Sequence, residues 1–438
     1  MTPKRKLVIG IGKTGESCIK FFEKNKIDYK VFDTRKNLSK IFKNQDNKNK
    51  SLYRFQDFEE GFLDDVEEAI ISPGLSLNHK IINTIQKLSI PLITDIELWH
   101  RYSNTPIIAV SGTNGKTTVV SMLEYLLNKL GLKSIACGNN GVPILKSLNN
   151  SNYKYLILEL SSYQLEYTKS IKTYISLLTN VEDDHLERHK DYRNYLLVKK
   201  KIFSNCMHAI CNTDLDSEMK DIKKHKGYGL NSKSNKFLIN GKVNDEIRFD
   251  DKKIYYKNVS IKFKGIHNLN NVLAVLSIAE ILNIKIDNAL QILSNYRYPS
   301  HRVQLIKKQN NISWYNDSKS TNISSTIAAI EYVKKNILLI LGGSEKFLDY
   351  GKLNPYIEGK IKLIIFMGEN RKSIREKLIT KKPMIDAKTM RDAIKIAHKN
   401  AYPGDSILLS PASPSFDMFT DYEERGAEFI KAVDDIAK

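Results

Sequence analysis

One stretch limits what this chain can fold into. A strand-forming run, Ile107-Ile108-Ala109-Val110, passes directly into Ser111-Gly112-Thr113-Asn114-Gly115-Lys116-Thr117-Thr118, and a helical pattern follows from Val119 to Lys129. Strand, glycine turn, lysine, hydroxyl and helix in that order predict a phosphate-binding loop at the edge of an α/β sheet. The glycines let backbone N–H groups close around phosphate oxygens, Lys116 supplies a charge, and the helix N-terminus adds its partial positive end. Thr117 stands where a hydroxyl would hold a magnesium ion. The usual pattern has a further glycine five positions before Gly115, where this chain has Val110.

At 438 residues the chain exceeds what one core supports, so two or three domains are expected. The segment before the loop reads as the first. Leu7-Val8-Ile9-Gly10 is a strand, Gly10-Ile11-Gly12-Lys13-Thr14-Gly15 a glycine turn, and Glu16 to about Lys24 a helix. A second strand, Tyr29 to Phe32, ends at Asp33-Thr34-Arg35, and a later one, Ala69-Ile70-Ile71, ends at Ser72-Pro73-Gly74. This is a dinucleotide-type unit, with G-x-G-x-x-G in the first turn and an acid after the next strand. Taken alone, Gly10, Gly12, Gly15 and Asp33 would suggest an NAD-dependent oxidoreductase. The lysine- and asparagine-rich run from Lys43 to Lys50 reads as an exposed loop.

Beyond the phosphate loop, Ser134 to Ala136 is a strand followed by the turn Gly138-Asn139-Asn140-Gly141. Tyr155 to Leu158 is a strand ending at Glu159, and Tyr174 to Leu178 leads into Thr179-Asn180-Val181-Glu182-Asp183-Asp184-His185. An acid at the end of a strand after such a loop is where a magnesium ligand belongs, and His185 falls at the same sheet edge. Short alternating runs between Lys236 and Gly265 predict a small antiparallel sheet. Gly265-Ile266-His267-Asn268 opens a helix from Leu269 to Leu282, with Asn268 and Asn271 one turn apart at its start. From Ser300, strands at Ile312–Tyr315, 337–341, 363–367 and 407–409 end in polar loops, which reads as another doubly wound unit. The expected division is therefore 1–94, a Rossmann-like domain; 95–299, a phosphate-loop α/β domain with a small antiparallel sheet; and 300–438, a second Rossmann-like domain.

Composition narrows the function classes. The formal charge of +20 points to anionic partners, but the lysines are scattered and form no basic stretch interleaved with aromatics, so a nucleic-acid module is not expected. No apolar run is long enough to span a membrane. The N-terminal Lys4-Arg5-Lys6 is followed by too short an apolar run for a signal peptide, so a cytoplasmic location is expected. The four cysteines, Cys18, Cys137, Cys206 and Cys211, form no C-x-x-C pair. They read as buried thiols, the flanking of His208 by Cys206 and Cys211 notwithstanding.

Three motifs occur in order: Gly112-Thr113-Asn114-Gly115-Lys116-Thr117-Thr118, Gly265-x-His267-Asn268-x-x-Asn271 and Asp317-Ser318-Lys319-x-Thr321-Asn322. Together they resemble the Mur ligase family, ATP-dependent amide ligases of peptidoglycan precursor synthesis, in which the residue at Val110 is commonly not glycine. The first domain, Leu158 to Leu165, Ser410-Pro411-Ala412-Ser413-x-Ser415-Phe416-Asp417 and Glu423-x-Arg425-Gly426 resemble the branch that adds D-glutamate. The resemblance implies that ATP activates the carboxylate of UDP-N-acetylmuramoyl-L-alanine as an acyl phosphate, which the amine of D-glutamate then attacks. A folylpolyglutamate-type ligase would begin directly with the phosphate loop.

The resemblance also implies roles. Lys116 would hold the β- and γ-phosphates within the loop Gly112 to Thr118, with Thr117 and Glu159 on one magnesium. Glu159, His185 and a carbamylated lysine would serve a second. The run Lys199-Lys200-Lys201 leaves that lysine ambiguous, and the frame Lys-x-x-Ile-Phe picks Lys199. Asn268, Asn271, Arg302 and Asp317 would address ATP. Lys13, Thr14, Asp33, Thr34, Arg35, Gly74 and Asn139 would line the UDP-substrate site. Lys319, Thr321, Lys346, Ser415, Phe416 and Tyr422 would frame D-glutamate. The expected protein is a monomer.

Overall fold

The computed structural model describes residues 4–36, 52–76, 78–150, 152–222, 225–229, 237–238, 246–249, 252–255, 266–333, 336–346 and 348–436. The chain divides into two compact units. One spans Met1–Ile261 with Asn270–Asn295, the other Lys262–Leu269 with Tyr296–Lys438.

The first unit holds two parallel sheets. The N-terminal one comprises β1 (Arg5–Ile9), β2 (Tyr29–Asp33), β3 (Tyr53–Phe55), β4 (Val66–Ile71) and β5 (Leu92–Ile93), in the order β3-β2-β1-β4-β5. Every pairing is parallel. Chain order reverses at β1, which opens a crevice beyond the C-terminal ends of β1 and β4. The three-residue β3 was not anticipated: it follows the polar 43–50 run, which lies outside the described residues, and is too short to show alternation.

The second sheet comprises β6 (Ile107–Ser111), β7 (Ser134–Gly138), β8 (Tyr155–Glu159), β9 (Thr173–Leu178), β10 (Cys206–Asn212) and β11 (Lys226–Tyr228), in the order β11-β10-β9-β6-β8-β7. Strand β6 is central, and all five of its residues are buried. That is why it reads as a continuous apolar run rather than an alternation. Its loop is therefore anchored in the middle of the sheet. One apolar core joins the two sheets, running from Val8, Cys18 and Phe22 through Trp99 to Leu156 and Leu158. The helix Asp95–His100 connects them. Glu97 accepts from Thr94 N at 2.9 Å and, through its other oxygen, from Lys169 N at 2.8 Å, so one carboxylate caps the connector and ties it to the second sheet.

A small antiparallel sheet, β12 (Phe237–Leu238), β13 (Glu246–Phe249) and β14 (Lys252–Tyr255), matches the expectation for that stretch. Residues 239, 241, 250–251 and 256 of the same reading lie outside the described residues.

The second unit is built on a mixed sheet of β15 (Gln304–Gln309), β16 (Ile312–Asn316), β17 (Ile337–Leu341), β18 (Ile361–Phe366), β19 (Met384–Asp386) and β20 (Ser406–Leu409), in the order β15-β16-β20-β17-β18-β19. Strands β16 to β20 pair in parallel, as expected. Strand β15, an antiparallel edge strand, was not anticipated. Four of its six residues are polar, in keeping with an edge position, so its apolar signature is weak. Its hairpin turn, Asn310-Asn311, has φ of 50° and 58°, the positive values a two-residue turn demands.

Candidate active site

The phosphate loop leaves β6 and enters the helix Lys116–Lys129, three residues earlier than the apolar pattern indicated. Gly115 has a φ of +84°, which favours glycine, and a Cβ there would also press on the Asn271 side-chain amide. The segment after β9 braces the loop. Asn114 N donates to Asn180 Oδ1 at 2.8 Å, Asn114 Nδ2 to Glu182 Oε2 at 3.0 Å, and Thr179 Oγ1 to the Asn114 carbonyl at 2.7 Å. Lys116 Nζ folds back on the carbonyls of Gly112 and Thr113, each at 2.8 Å.

Lys199 reaches the same loop and shares the Gly112 carbonyl with Lys116. It lies in the helix Tyr192–Lys200, is 1% exposed, and donates from Nζ to the Gly112 carbonyl at 2.8 Å. Burial, reinforced by the charge of Lys116, pushes its pKa well below the ordinary lysine value. Its neighbours point elsewhere: Lys200 bonds the Glu218 carbonyl and Asp221, and Lys201 the Glu166 carbonyl.

Glu159, at the end of β8, is 1% exposed. Its Oε1 accepts from Asn139 Nδ2 at 2.9 Å, while Oε2 has no hydrogen-bond partner among the described residues. A buried carboxylate oxygen left without a donor is costly and suits a divalent cation. His185 sits in the left-handed backbone region, with a φ of 55°. Its Nδ1 shares a hydrogen bond of 3.1 Å with the Tyr163 hydroxyl, and its Nε2 lies 3.7 Å from Asp184 Oδ2. Thr113, Lys116, Asn139, Tyr163, Asp184, His185, Tyr195 and Lys199 line one cavity of about 170 Å³ together with Ser161 and Ser162. Thr117 is partly buried at the start of the helix and does not line it. Sequence reasoning named the loop that holds Asp184 but gave no role to Asp184, Tyr163 or Tyr195. The only available signal was the acid beside His185.

At the crevice of the first sheet, Asp33 is buried and committed. Its Oδ2 accepts from Ile11 N at 2.7 Å, and its Oδ1 from Arg35 N at 2.8 Å and Arg35 Nε at 2.9 Å. Burial opposes the charge, but these bonds outweigh it and hold Asp33 below the usual carboxylate range. An acid so occupied is poorly placed to bind a ribose diol, which weakens the oxidoreductase reading. Lys13, Thr34, Arg35 and Gly74 are exposed and Thr14 partly so. A side chain at Gly141 would lie 3.7 Å from the Lys13 ammonium, so the first sheet's glycine turn faces the Asn139 turn.

In the second unit, Asp317 is buried at the end of β16. It accepts from Ser410 Oγ at 2.7 Å, Val303 N at 3.1 Å and Ser320 Oγ. Burial pushes its pKa up to about 6, against those bonds and the charge of Arg302. Lys319 Nζ lies 3.6 Å from the Tyr422 ring centre. Ser415 is buried, Thr321 and Lys346 are half-buried, and Phe416 is 75% exposed. An open cavity of about 660 Å³ is lined by His301, Tyr422 and Glu423 among others. Asn271 is in the first unit; Asn268, Arg302 and Asp317 are in the second.

Family models match in order: Mur ligase MurD-like N-terminal domain at residues 4–94, Mur ligase middle domain at 110–279, and Mur ligase glutamate ligase domain at 301–413. A Coxiella burnetii protein curated as UDP-N-acetylmuramoylalanine--D-glutamate ligase is 34% identical over 441 residues, covering 98% of both chains. The chain belongs to the Mur ligase family. A Buchnera aphidicola relative (subsp. Schizaphis graminum) curated under the same name is 36% identical, covering 98% of this Mur ligase and 97% of its own length. Among solved structures, UDP-N-acetylmuramate-alanine ligase MurC from Thermotoga maritima aligns over 99% of this chain with a TM-score of 0.64 at 16% identity. A pseudomurein peptide ligase type C from Methanothermus fervidus gives 0.65 at 18%, again over 99% of this chain. These two likenesses bear on the fold alone. Among the described residues, no helix is long and apolar enough to cross a membrane.

Proposed function

We propose that this Mur ligase joins D-glutamate to UDP-N-acetylmuramoyl-L-alanine at the expense of ATP, through an acyl phosphate, in cytoplasmic peptidoglycan precursor synthesis. The full-length match to relatives curated for that reaction carries the reading. Support for the chemistry comes from Lys116, His185 and Lys199 on one cavity beside the unpartnered oxygen of Glu159.

The substrate carboxylate attacks the γ-phosphorus of ATP, ADP leaves, and the D-glutamate amine then attacks the acyl carbon and expels phosphate. Lys116 and the loop amides hold the β- and γ-phosphates, which concentrates positive charge where the transferring group develops negative charge. Thr117 and Glu159 would hold one magnesium, and Glu159, His185 and a carbamylated Lys199 a second. Magnesium, when bound, offsets the charge of the phosphates and of the substrate carboxylate. The depressed pKa of Lys199 favours the carbamate, because only the neutral amine adds carbon dioxide, releasing one proton.

Lys13, Thr14, Asp33, Thr34, Arg35, Gly74 and Asn139 serve the UDP substrate in this reading, Asp33 by shaping the turn. Asn268, Asn271, Arg302 and Asp317 address ATP. Lys319, Thr321, Lys346, Ser415, Phe416 and Tyr422 serve D-glutamate, where two lysines suit a dicarboxylate. The domains divide at 94/95 and 299/300, and the chain acts as a monomer. The test is to incubate the purified chain with ATP, magnesium and both substrates and look by mass spectrometry for the UDP-muramoyl dipeptide. Its absence would remove the reading.

A further inference from the structure

Arg425 lies in the helix Tyr422–Ile436 and is 1% exposed. Its Nε donates to Ser318 Oγ at 2.9 Å and its Nη2 to the Ser318 carbonyl at 2.8 Å. Its Nη1 donates to the carbonyls of Ser413 at 3.0 Å and Pro414 at 3.1 Å. Ser318 sits immediately before Lys319, and Pro414 immediately before Ser415. One planar guanidinium thus joins the loop after β16 to the loop after β20.

The join is an expensive one. Among the described residues no carboxylate pairs with Arg425, and its acceptors are a hydroxyl and three carbonyls. Burial lowers its pKa to about 10, with Asp417 and Asp317 only partly compensating. A hydrophobic side chain there would avoid burying a charge but would leave the carbonyls of Ser318, Ser413 and Pro414 without this donor. What an apolar residue cannot supply is a rigid fork that fixes the distance between two loops. A third loop is drawn in. A Cβ at Gly343, on the way to Lys346, would collide with the Pro414 carbonyl and stand 3.1 Å from Arg425 Nη1. Asn370 closes the far side, accepting from Gly343 N at 2.9 Å and donating to Ser413 Oγ at 2.7 Å.

We infer that Arg425 is a positioning residue for the amino-acid substrate: its guanidinium sets the spacing between the Lys319–Thr321 loop and the Ser415 loop, and so the fit for a dicarboxylate held between their side chains. This rests on the assignment of those loops to D-glutamate. Arg425 itself touches no reacting atom. Lysine would keep the charge but offers a single point instead of a fork, so it does not replace arginine here.

The test compares R425K, R425M and S318A with the unaltered full-length chain. Four quantities are read: the KM for D-glutamate, the KM for ATP, acyl phosphate formed without amino acid, and hydrogen exchange of the backbone amides of residues 317–322 and 412–417. R425M should raise the KM for D-glutamate by about tenfold to a hundredfold, the scale of loss when a reacting group is misplaced by an ångström. The KM for ATP and acyl phosphate formation should change less than about twofold, R425K should not rescue, and exchange should rise in both loops together. S318A, which removes one of the four contacts, should shift the KM for D-glutamate in the same direction by less. An unchanged KM for D-glutamate in both R425M and S318A, or full rescue by R425K, would overturn the proposal. If R425M does not fold, S318A and R425K decide alone. If the unaltered chain makes no product with D-glutamate, the substrate reading has failed rather than this one. Exchange then decides: a joint rise in the two loops keeps the positioning role, and no rise removes it.

Discussion

Lys199 Nζ and Lys116 Nζ each donate to the Gly112 carbonyl at 2.8 Å, so two lysines converge on one turn of backbone. Burial, and after it the charge of the partly buried Lys116, depress the pKa of Lys199. A carbamate there would replace repulsion by attraction. Labelled bicarbonate should therefore give a carbamate resonance in the carbon NMR spectrum that Lys199→Ala removes. The same variant should lose most ligase activity and recover part of it with added short-chain carboxylic acids. Rescue of Lys200→Ala instead would move the assignment by one residue.

Among the described residues, Glu159 Oε2 is a buried oxygen with no hydrogen-bond partner. Replacing the carboxylate by the isosteric amide in Glu159→Gln removes the charge and keeps the bond from Asn139 available to the remaining oxygen. Manganese binding followed by electron paramagnetic resonance should weaken by about tenfold or more, comparable with the loss from disturbing a metal site's supporting groups. Undiminished binding would exclude Glu159 as a ligand.

Lys319 and Lys346 make a separable prediction. Lys319→Ala and Lys346→Ala should raise the KM for D-glutamate, since each removes a cation that suits a dicarboxylate, and leave the KM for ATP nearly unchanged. An effect confined to ATP would contradict the assignment.

Asp95 gives a pH signature independent of catalysis. Its carboxyl is buried, Oδ1 has no hydrogen-bond partner among the described residues, and burial raises its pKa from 3.8 to about 6. Across that window the folded chain keeps a proton that the unfolded chain has released, so stability falls as pH rises from about 4 to 6 and the loss is complete above it. Asp95→Asn abolishes that titration. Its unfolding free energy should exceed that of the unaltered chain by roughly 1–3 kcal/mol at neutral pH, and by little near pH 4. A difference that does not change with pH would contradict the sign.

How much of this was legible beforehand depended on range. The phosphate loop and the strands around it were readable because they are contiguous and their residue types are dictated by backbone geometry. Glu159 and His185 were readable because strand ends of a parallel sheet gather on one edge. The choice among Lys199, Lys200 and Lys201 turns on which helix face is buried, and only the packed structure shows Lys199 inward with Tyr195. The edge strand β15 was hidden by its polar composition, although Asn310-Asn311 marked its turn. Arg425 stood in a recognisable motif, but its partners lie 11 to 107 residues away, beyond any local pattern.

The most direct test of the central claim is phosphate release from ATP with UDP-N-acetylmuramoyl-L-alanine, offering D-glutamate, L-glutamate, L-alanine and meso-diaminopimelate separately. The account predicts release that depends on D-glutamate alone. Release supported by another of these amino acids and not by D-glutamate would contradict it.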